Sequence, residues 1–322
     1  MLTGTRQDRF NKWIACSLLC VFSLLTLHAQ AGQAQEKVLL VNSSMDSIYQ
    51  DYAELLRSYL EVLSEGRYTT EVTDLKRFDP QTNTEQYRLV ITSGVRAAEQ
   101  LMSREHTTPL LVTFIQSHEY STGKNESSRC GATHCTFLFL DQPPERQMRF
   151  VRILFPEGTR LGMLHLETGD SVLTQYQRHA QRYKLRIVPM QAGSSEEVLD
   201  ALQESITDID VLLAHPDTRL INRNTAKGIL LKSYYHRVPL LAYSSSFVKA
   251  GATAGLYSAP DDLARHAAET ALQILNNKIS PQHSAFPKYF RVELNTRVSN
   301  SLDLNLPSEN TIQEMLKNDE AL

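Results

Sequence analysis

The sequence belongs to the α/β class, with a largely parallel sheet in each of two lobes, and three observations lead there. From Glu36 onward, short β-branched or aliphatic runs alternate with longer amphipathic stretches, the pattern of βαβ units. The runs in both halves end in small polar residues, where a helix is about to begin. The 322 residues, 42% of them hydrophobic, suffice for one large or two medium domains.

The elements follow in order. Val38–Val41 is the first strand, Asn42–Ser47 a polar loop, and Ile48–Leu63 a helix with Tyr52, Leu55, Leu56, Tyr59, Leu60 and Leu63 on one face. Leu89–Thr92 is a strand that runs through Ser93-Gly94 into a helix carrying Ala97, Ala98 and Leu101. Leu110–Ile115 is a third strand ending in Gln116-Ser117-His118. A new set is expected after Cys135: the strand Thr136–Leu140, then a helix opened by Pro143-Pro144, proline being suited to the first turn. Leu161–Leu164 leads through Glu167-Thr168-Gly169-Asp170-Ser171 into a helix reaching Tyr183. Leu185–Pro189 precedes the Ser194–Glu197 capping box and a helix with Val198, Leu199, Leu202 and Ile206 inward. The strand Val211–Leu213 ends at Pro216-Asp217-Thr218, a helix spans 222–235, and Pro239–Tyr243 ends in Ser244-Ser245-Ser246. A helix over 261–275, a strand over Phe290–Leu294 and a polar tail complete the chain.

At the N-terminus, Arg6, Arg9 and Lys12 precede an uncharged, mostly apolar run from Trp13 to Leu27, followed by Ala29-Gln30-Ala31. That order reads as a secretory signal peptide, residues 1–31, cleaved near Ala31. The alternative, a membrane anchor, needs about 20 apolar residues and a stop-transfer charge cluster. Cys16 and Cys20 lack the context for lipidation. Without residues 1–31 the formal net charge of −3 becomes −5. A mildly acidic surface argues against nucleic acid as a partner, which calls for clustered Lys and Arg.

Cys130 and Cys135 are the two cysteines left after cleavage, and an even pair in an oxidising compartment reads as a disulfide. A metal site with His134 and His118 is the alternative, but the spacing fits no zinc pattern.

In parallel sheets, ligands bind outside the carboxyl ends of the strands. The candidate ligand-binding residues are therefore Ser43, Ser44, Ser93, Gln116, Ser117, Thr168, Ser171, Asp217 and Ser244, with Gly94, Asp170, Thr218 and Ser245 beside them. Helix N-termini there offer free N–H groups and a favourable dipole to an anion. Each of these residues equally suits a plain helix cap. Asp217 is a candidate partner for a ligand ammonium or, alternatively, a cap. Arg219 and Arg223 are candidates for a carboxylate clamp or for solvated surface. Tyr49, Phe114, Tyr120, Tyr243 and Phe247 would stack on a ligand or pack in the core.

Patterns for catalysis are missing: there is no Gly-x-Ser-x-Gly elbow, His-Glu-x-x-His, phosphate loop or dinucleotide fingerprint. A binding protein without a cofactor is the expectation, with a periplasmic hydrolase the enzymatic alternative.

These residues resemble the periplasmic binding protein type 1 superfamily, specifically the substrate-binding proteins of ABC transporters in the uncharacterised branch associated with tryptophan, tyrosine or other amino acids. Thr159–Leu164 is similar to that family's "KRIGVLY" strand, and Val238–Ala242 with Val248 and Gly251-Ala252 to its "IPVFA…V..GAL" segment. Val292–Asn295 through Leu306-Pro307 resembles its "vNlktAkaLGl.iP" tail. Ser93 stands where the family's "GTPAA" loop has Thr, Asp217 matches the Asp of "PTDN", and Asp170-Ser171 match the Asn-Ser of the loop after "GVLY". The His165–Ser171 loop is shorter than usual and lacks "YNP", and Gln116-Ser117-His118 replaces "TDP", departures that bear on the ligand's identity.

The resemblance implies two doubly wound parallel-sheet lobes joined by a hinge of about three crossover strands. It places the first lobe at 36–135 plus about 247–284 and the second at 136–246 plus about 285–322. It also implies a monomer in the periplasm that captures an amino acid or related small polar ligand between the lobes and presents it to an ABC permease. A ligand-sensing subunit of a membrane signalling receptor would use the same lobes.

Overall fold

In the computed structural model, residues 35–79, 81–103, 107–120, 135–166, 171–279 and 283–320 are described. The expected signal peptide, Cys130, Thr168 and Asp170 lie outside them. Lys37–Leu322 is one compact unit that carries both sheets.

The chain begins with β1 (Glu36–Asn42), α1 (Ser47–Leu63), β2 (Tyr68–Asp74), β3 (Leu89–Ser93), α2 (Val95–Met102), β4 (Leu110–Ile115) and β5 (Cys135–Phe139). It continues with α3 (Pro144–Leu154), β6 (Arg160–His165), α4 (Ser171–Arg182), β7 (Arg186–Gln191), α5 (Val198–Ser205), β8 (Val211–Leu213), α6 (Ala226–Tyr235), β9 (Leu240–Ala242), α7 (Ser245–Ala250) and β10 (Ala254–Tyr257). Last come α8 (Pro260–Leu275), β11 (His283–Ala285), β12 (Arg291–Leu294), α9 (Thr296–Ser301) and α10 (Glu309–Glu320).

Two six-stranded sheets result, with orders β11-β5-β4-β3-β1-β2 and β12-β10-β9-β8-β6-β7. In the first, β1, β3, β4, β5 and β11 pair in parallel. In the second, β7, β6, β8, β9 and β10 are parallel, and β12 closes the edge antiparallel to β10. Parallel strands need cover on both faces, which explains the almost wholly buried runs of β1 and β3. Around the first sheet, α1 and α8 cover one face with Tyr52, Leu56, Ala264 and Ala268, and α2 covers the other with Ala97, Ala98 and Leu101. Around the second, α3, α4 and α10 supply Phe150, Tyr176, Ile312 and Leu316 to one core, and α5, α6 and α7 supply Val198, Leu202, Ile229 and Phe247 to the other. The architecture is the expected pair of doubly wound lobes.

Three segments cross between the lobes: 140–143 after β5, 258–259 after β10, and 286–290 after β11. Hydrogen bonds stitch the three together. Gln142 Nε2 donates to Ser258 Oγ (2.8 Å), Ser258 Oγ donates to the Tyr289 carbonyl (2.5 Å), and Arg146 Nη1 donates to both Gln142 Oε1 (2.7 Å) and the Pro287 carbonyl (2.9 Å).

Sheet membership differs in places from the sequence reading. Thr136–Leu140 was expected to open the second lobe, yet β5 pairs with β4 in the first. α7 and β10 lie in the second lobe, and the chain returns to the first with α8. A hydrophobic strand pattern says that a strand is buried and not which neighbour it pairs with. Three further strands, β2, β10 and β11, carry no clear run: β2 is the polar YTTEVTD at a sheet edge, and the other two are four and three residues long. The tail beyond β12 is helical, because Ile312 and Leu316 one turn apart pack into the second lobe's core.

Candidate functional site

In each sheet the strand order reverses once, between β1 and β3 in the first and between β6 and β8 in the second. At such a switch point the two chains leave in opposite directions, and a crevice opens at the carboxyl ends of the strands. In the first lobe this places Asn42 and Ser93, which are register partners, at the crevice floor. In the second it places His165 at the end of β6 and His215 two residues beyond β8.

These positions hold buried polar atoms with no hydrogen-bond partner among the described residues: Asn42 Oδ1, Ser93 Oγ and His215 Nε2, on residues 3%, 0% and 8% exposed. Such atoms are costly in a folded interior, and their collection at both switch points marks a place built to meet something else. Thr92 Oγ1 beside Ser93 is in the same condition.

The two lobes come together at the histidines. The His118 ring, from the 3₁₀ turn Ser117–Glu119 after β4, stands edge-on to His215 with centroids 5.8 Å apart. His215 also meets Tyr176 of α4 at 5.5 Å, with Nδ1 3.5 Å from the tyrosine hydroxyl. Burial drives the His215 pKa down to about 3, and the neighbouring His118 adds to the depression while Asp217 opposes it. His215 is therefore a neutral imidazole at any physiological pH.

The carboxylates around the crevice are committed. Asp217 accepts from the Arg219 backbone N–H (3.0 Å), from Arg219 Nε (2.9 Å) and from Arg219 Nη2 (2.6 Å). Burial raises its pKa, but the Arg219 hydrogen bonds outweigh this and the net shift is downward. Asp141, on the first crossing, accepts from the Ser117 N–H (2.7 Å) and hydroxyl (2.5 Å). Burial lifts its pKa to about 6 against those two bonds. Glu119 accepts from the Gln116 N–H at 2.8 Å, and burial, partly opposed by that bond, raises its pKa.

Several residues expected to face a ligand serve the backbone instead. Ser43 Oγ accepts from the Ala97 N–H (3.0 Å) in the first turn of α2, so it caps the helix that follows the neighbouring strand. Ser44 is tied to Asp46 through its hydroxyl (2.7 Å). Ser244 caps α7, its Oγ accepting from the Phe247 N–H at 3.3 Å. Gln116 and Ser117 form the turn held by Glu119 and Asp141. Ser171 begins α4. Ser93 alone among these described candidates presents a buried unpartnered side-chain atom.

At the first lobe's strand ends Phe114 packs against the core, which includes the buried Tyr52. Tyr49 and Tyr52 contact Phe114 at 5.5 and 4.8 Å. Phe114 has φ +58°, at the irregularity between Val112 and Ile115 where β4 shifts register against β5. A left-handed phenylalanine beside a bulge is strained backbone, of the kind that gathers at binding sites. Tyr243 and Phe247 meet edge to face at 5.8 Å in the second lobe, whereas Tyr120 packs on Phe137 in the core. Gly94, φ +91°, sits where a Cβ would lie 2.7 Å from Ser43 Oγ and 2.8 Å from the Tyr49 ring, so glycine lets α2 start against both.

Sequence reasoning placed no emphasis on His215, Asn42, Tyr176 or Asp141. A histidine two residues past a short strand carries no pattern of its own, and its role appears only once β8 is seen beside the switch point. Cys135 is disulfide-bonded. Among the described residues no cluster of three His, Cys, Asp or Glu side chains has metal-binding geometry.

Two doubly wound lobes, three stitched crossings and facing crevices define a two-lobed α/β binding protein. Residues 65–309 match the family described as ABC transporter substrate binding protein, and the chain belongs to it. Among solved structures it is similar to a ligand-free, open substrate binding protein with adhesive properties from Clostridium difficile (16% identity, TM-score 0.64, covering 85% of this chain and 96% of that one). It is also similar to a conserved domain protein from Vibrio cholerae (15%, TM-score 0.57, 87% and 98%) and to an ABC domain in complex with L-Trp from Streptococcus pneumonia (14%, TM-score 0.53, 87% and 98%). At these identities the likeness concerns the fold. No curated protein matches the chain.

Proposed function

We propose that this protein is the periplasmic solute-binding component of an ABC transport system, capturing a small polar molecule between its lobes and delivering it to a membrane permease without altering it. The observation that carries this reading is the meeting of unpartnered polar atoms at both switch points with the cross-lobe His118–His215 contact. Closing two lobes about a stitched hinge buries a solute and expels water, which couples occupancy to shape. A permease reads that shape.

The export expectation rests on the Arg6–Ala31 pattern, and no described helix is long and apolar enough to cross a membrane. The lobe limits proposed from the sheets are 37–139 with 260–285, and 144–257 with 291–320. Ser93 and Gln116-Ser117 are retained as crevice residues of the first lobe, joined by Asn42. His215 heads the second lobe's contribution, beside Asp217.

A thermal-shift screen against amino acids, sugars, nucleobases, polyamines and small carboxylates tests the proposal. A solute at 100 times its dissociation constant adds about 2.7 kcal/mol, a shift of several degrees. A well-folded protein silent to the panel, with no small molecule released on denaturation, would refute capture.

A further inference from the structure

We infer that the solute is an electrically neutral polar molecule, held by hydrogen bonds to His215 Nε2 in the second lobe and to Ser93 Oγ and Asn42 Oδ1 in the first, and not an amino acid anchored through its ammonium group. The inference rests on the solute-capture reading and narrows its ligand.

The argument follows the hydrogen-bonding capacity left open at the crevice. An ammonium group needs a carboxylate with free lone pairs close by, since a buried cation without a counter-charge is strongly disfavoured. The sequence offered Asp217 for that role. In the structure each of its oxygens already accepts from Arg219, whose guanidinium is the counter-charge lying against it. Asp141 spends both oxygens on Ser117, and Glu119 spends one on the Gln116 N–H.

The fully buried side-chain atoms left without a partner at the switch points, among the described residues, are all uncharged: the Asn42 amide oxygen, the Thr92 and Ser93 hydroxyls and the His215 imidazole nitrogen. Tyr176 keeps its proton, because burial raises its pKa. Its hydroxyl can donate to His215 Nδ1, which leaves the hydrogen on Nε2 and makes that atom a donor. Asn42 Oδ1 is an acceptor and Ser93 Oγ serves as either. The crevice thus presents a donor from one lobe and an acceptor from the other, with the Tyr49 ring close to Gly94, next to Ser93. A flat or ring-shaped solute with both kinds of group, such as a nucleobase, cyclic amide or polyol, completes that set. Neutral partners in a dry cleft also need no compensation for buried charge.

The test is calorimetric titration of the intact protein with neutral probes (adenine, uracil, myo-inositol) and charged ones (L-tryptophan, L-glutamate, putrescine). Any molecule released on denaturing the purified protein is identified by mass spectrometry and added to the probes. The expected result is binding of a neutral probe, unchanged from about 0.05 to about 0.5 M NaCl because no ion pair is screened. His215→Leu should weaken it at least about tenfold, and His215→Gln, which keeps an amide N–H near the Nε2 position, should hold it within about threefold. Because His215 is already neutral, the loss caused by His215→Leu should be the same at pH 5 as at pH 8. Ser93→Ala gives a second, sterically mild variant with a loss of similar size.

Binding of an ionised solute that fades as salt rises overturns the inference and leaves solute capture standing. A neutral probe that binds equally well to His215→Leu and Ser93→Ala also overturns it. If no probe binds and no molecule is released, capture itself fails, and the inference with it.

Discussion

Arg146→Met tests the stitching of the crossings. Arg146 is buried on α3, donates to Gln142 Oε1 and to the Pro287 carbonyl, and lies over the Phe290 ring at 4.5 Å. Hydrogen bonds from a charged donor contribute about 1.5–3 kcal/mol each, and a desolvated cation–π contact about 2 kcal/mol. Relief from burying a guanidinium offsets several kcal/mol of that sum. Methionine keeps the stem's packing but leaves the two acceptors without this donor, so a net loss of about 2–4 kcal/mol is expected. Urea unfolding followed by fluorescence measures it as a lower midpoint at unchanged slope. A Gln142→Ala, Arg146→Met double-mutant cycle should show coupling of about 1 kcal/mol, because the two side chains share one bond. A loss under about 0.5 kcal/mol, or purely additive effects, would refute the view that these bonds hold the crossings in place.

Gly94→Ala should cost about 1–3 kcal/mol, since it forces a Cβ into Ser43 Oγ and the Tyr49 ring at positive φ, and thermal denaturation reads the loss. Ser43→Ala should cost about 1 kcal/mol in the same assay through the lost cap at Ala97; a change within about 0.2 kcal/mol would contradict the capping role. Asp141 titrates near pH 6 in the fold against a reference of 3.8, so the folded chain binds more protons between those values. Its contribution to stability therefore falls as pH rises across that window and is flat above it. Asp141→Asn should remove this part of the pH dependence in denaturant titrations at pH 4, 5, 6 and 7, and an unaltered slope would exclude Asp141 as its source.

Much of the fold was open to sequence reasoning because its signals are local. β1 and α1 were placed within two residues, since VLLV is buried on both faces and the helix shows its apolar stripe. The polar edge strand β2 and the short β10 and β11 carried no comparable signal: hydrogen bonds from adjoining strands, not their own residues, make them strands. Serines at strand ends were gathered as crevice candidates from their position alone. Which of them cap helices was decided by geometry, as Ser43 shows by capping α2, more than fifty residues away in sequence.

The sequence by itself determined the class, the alternation of strands with helices, and the strand ends where a site would form. Periodicity and helix capping are short-range effects that a single stretch of chain expresses. Tertiary structure alone decided that β5 joins the first lobe, that Arg219 pairs with Asp217, and that His215 contacts both Tyr176 and His118. Pairing, charge neutralisation and burial depend on what arrives from distant parts of the chain, and no local pattern records the arrival.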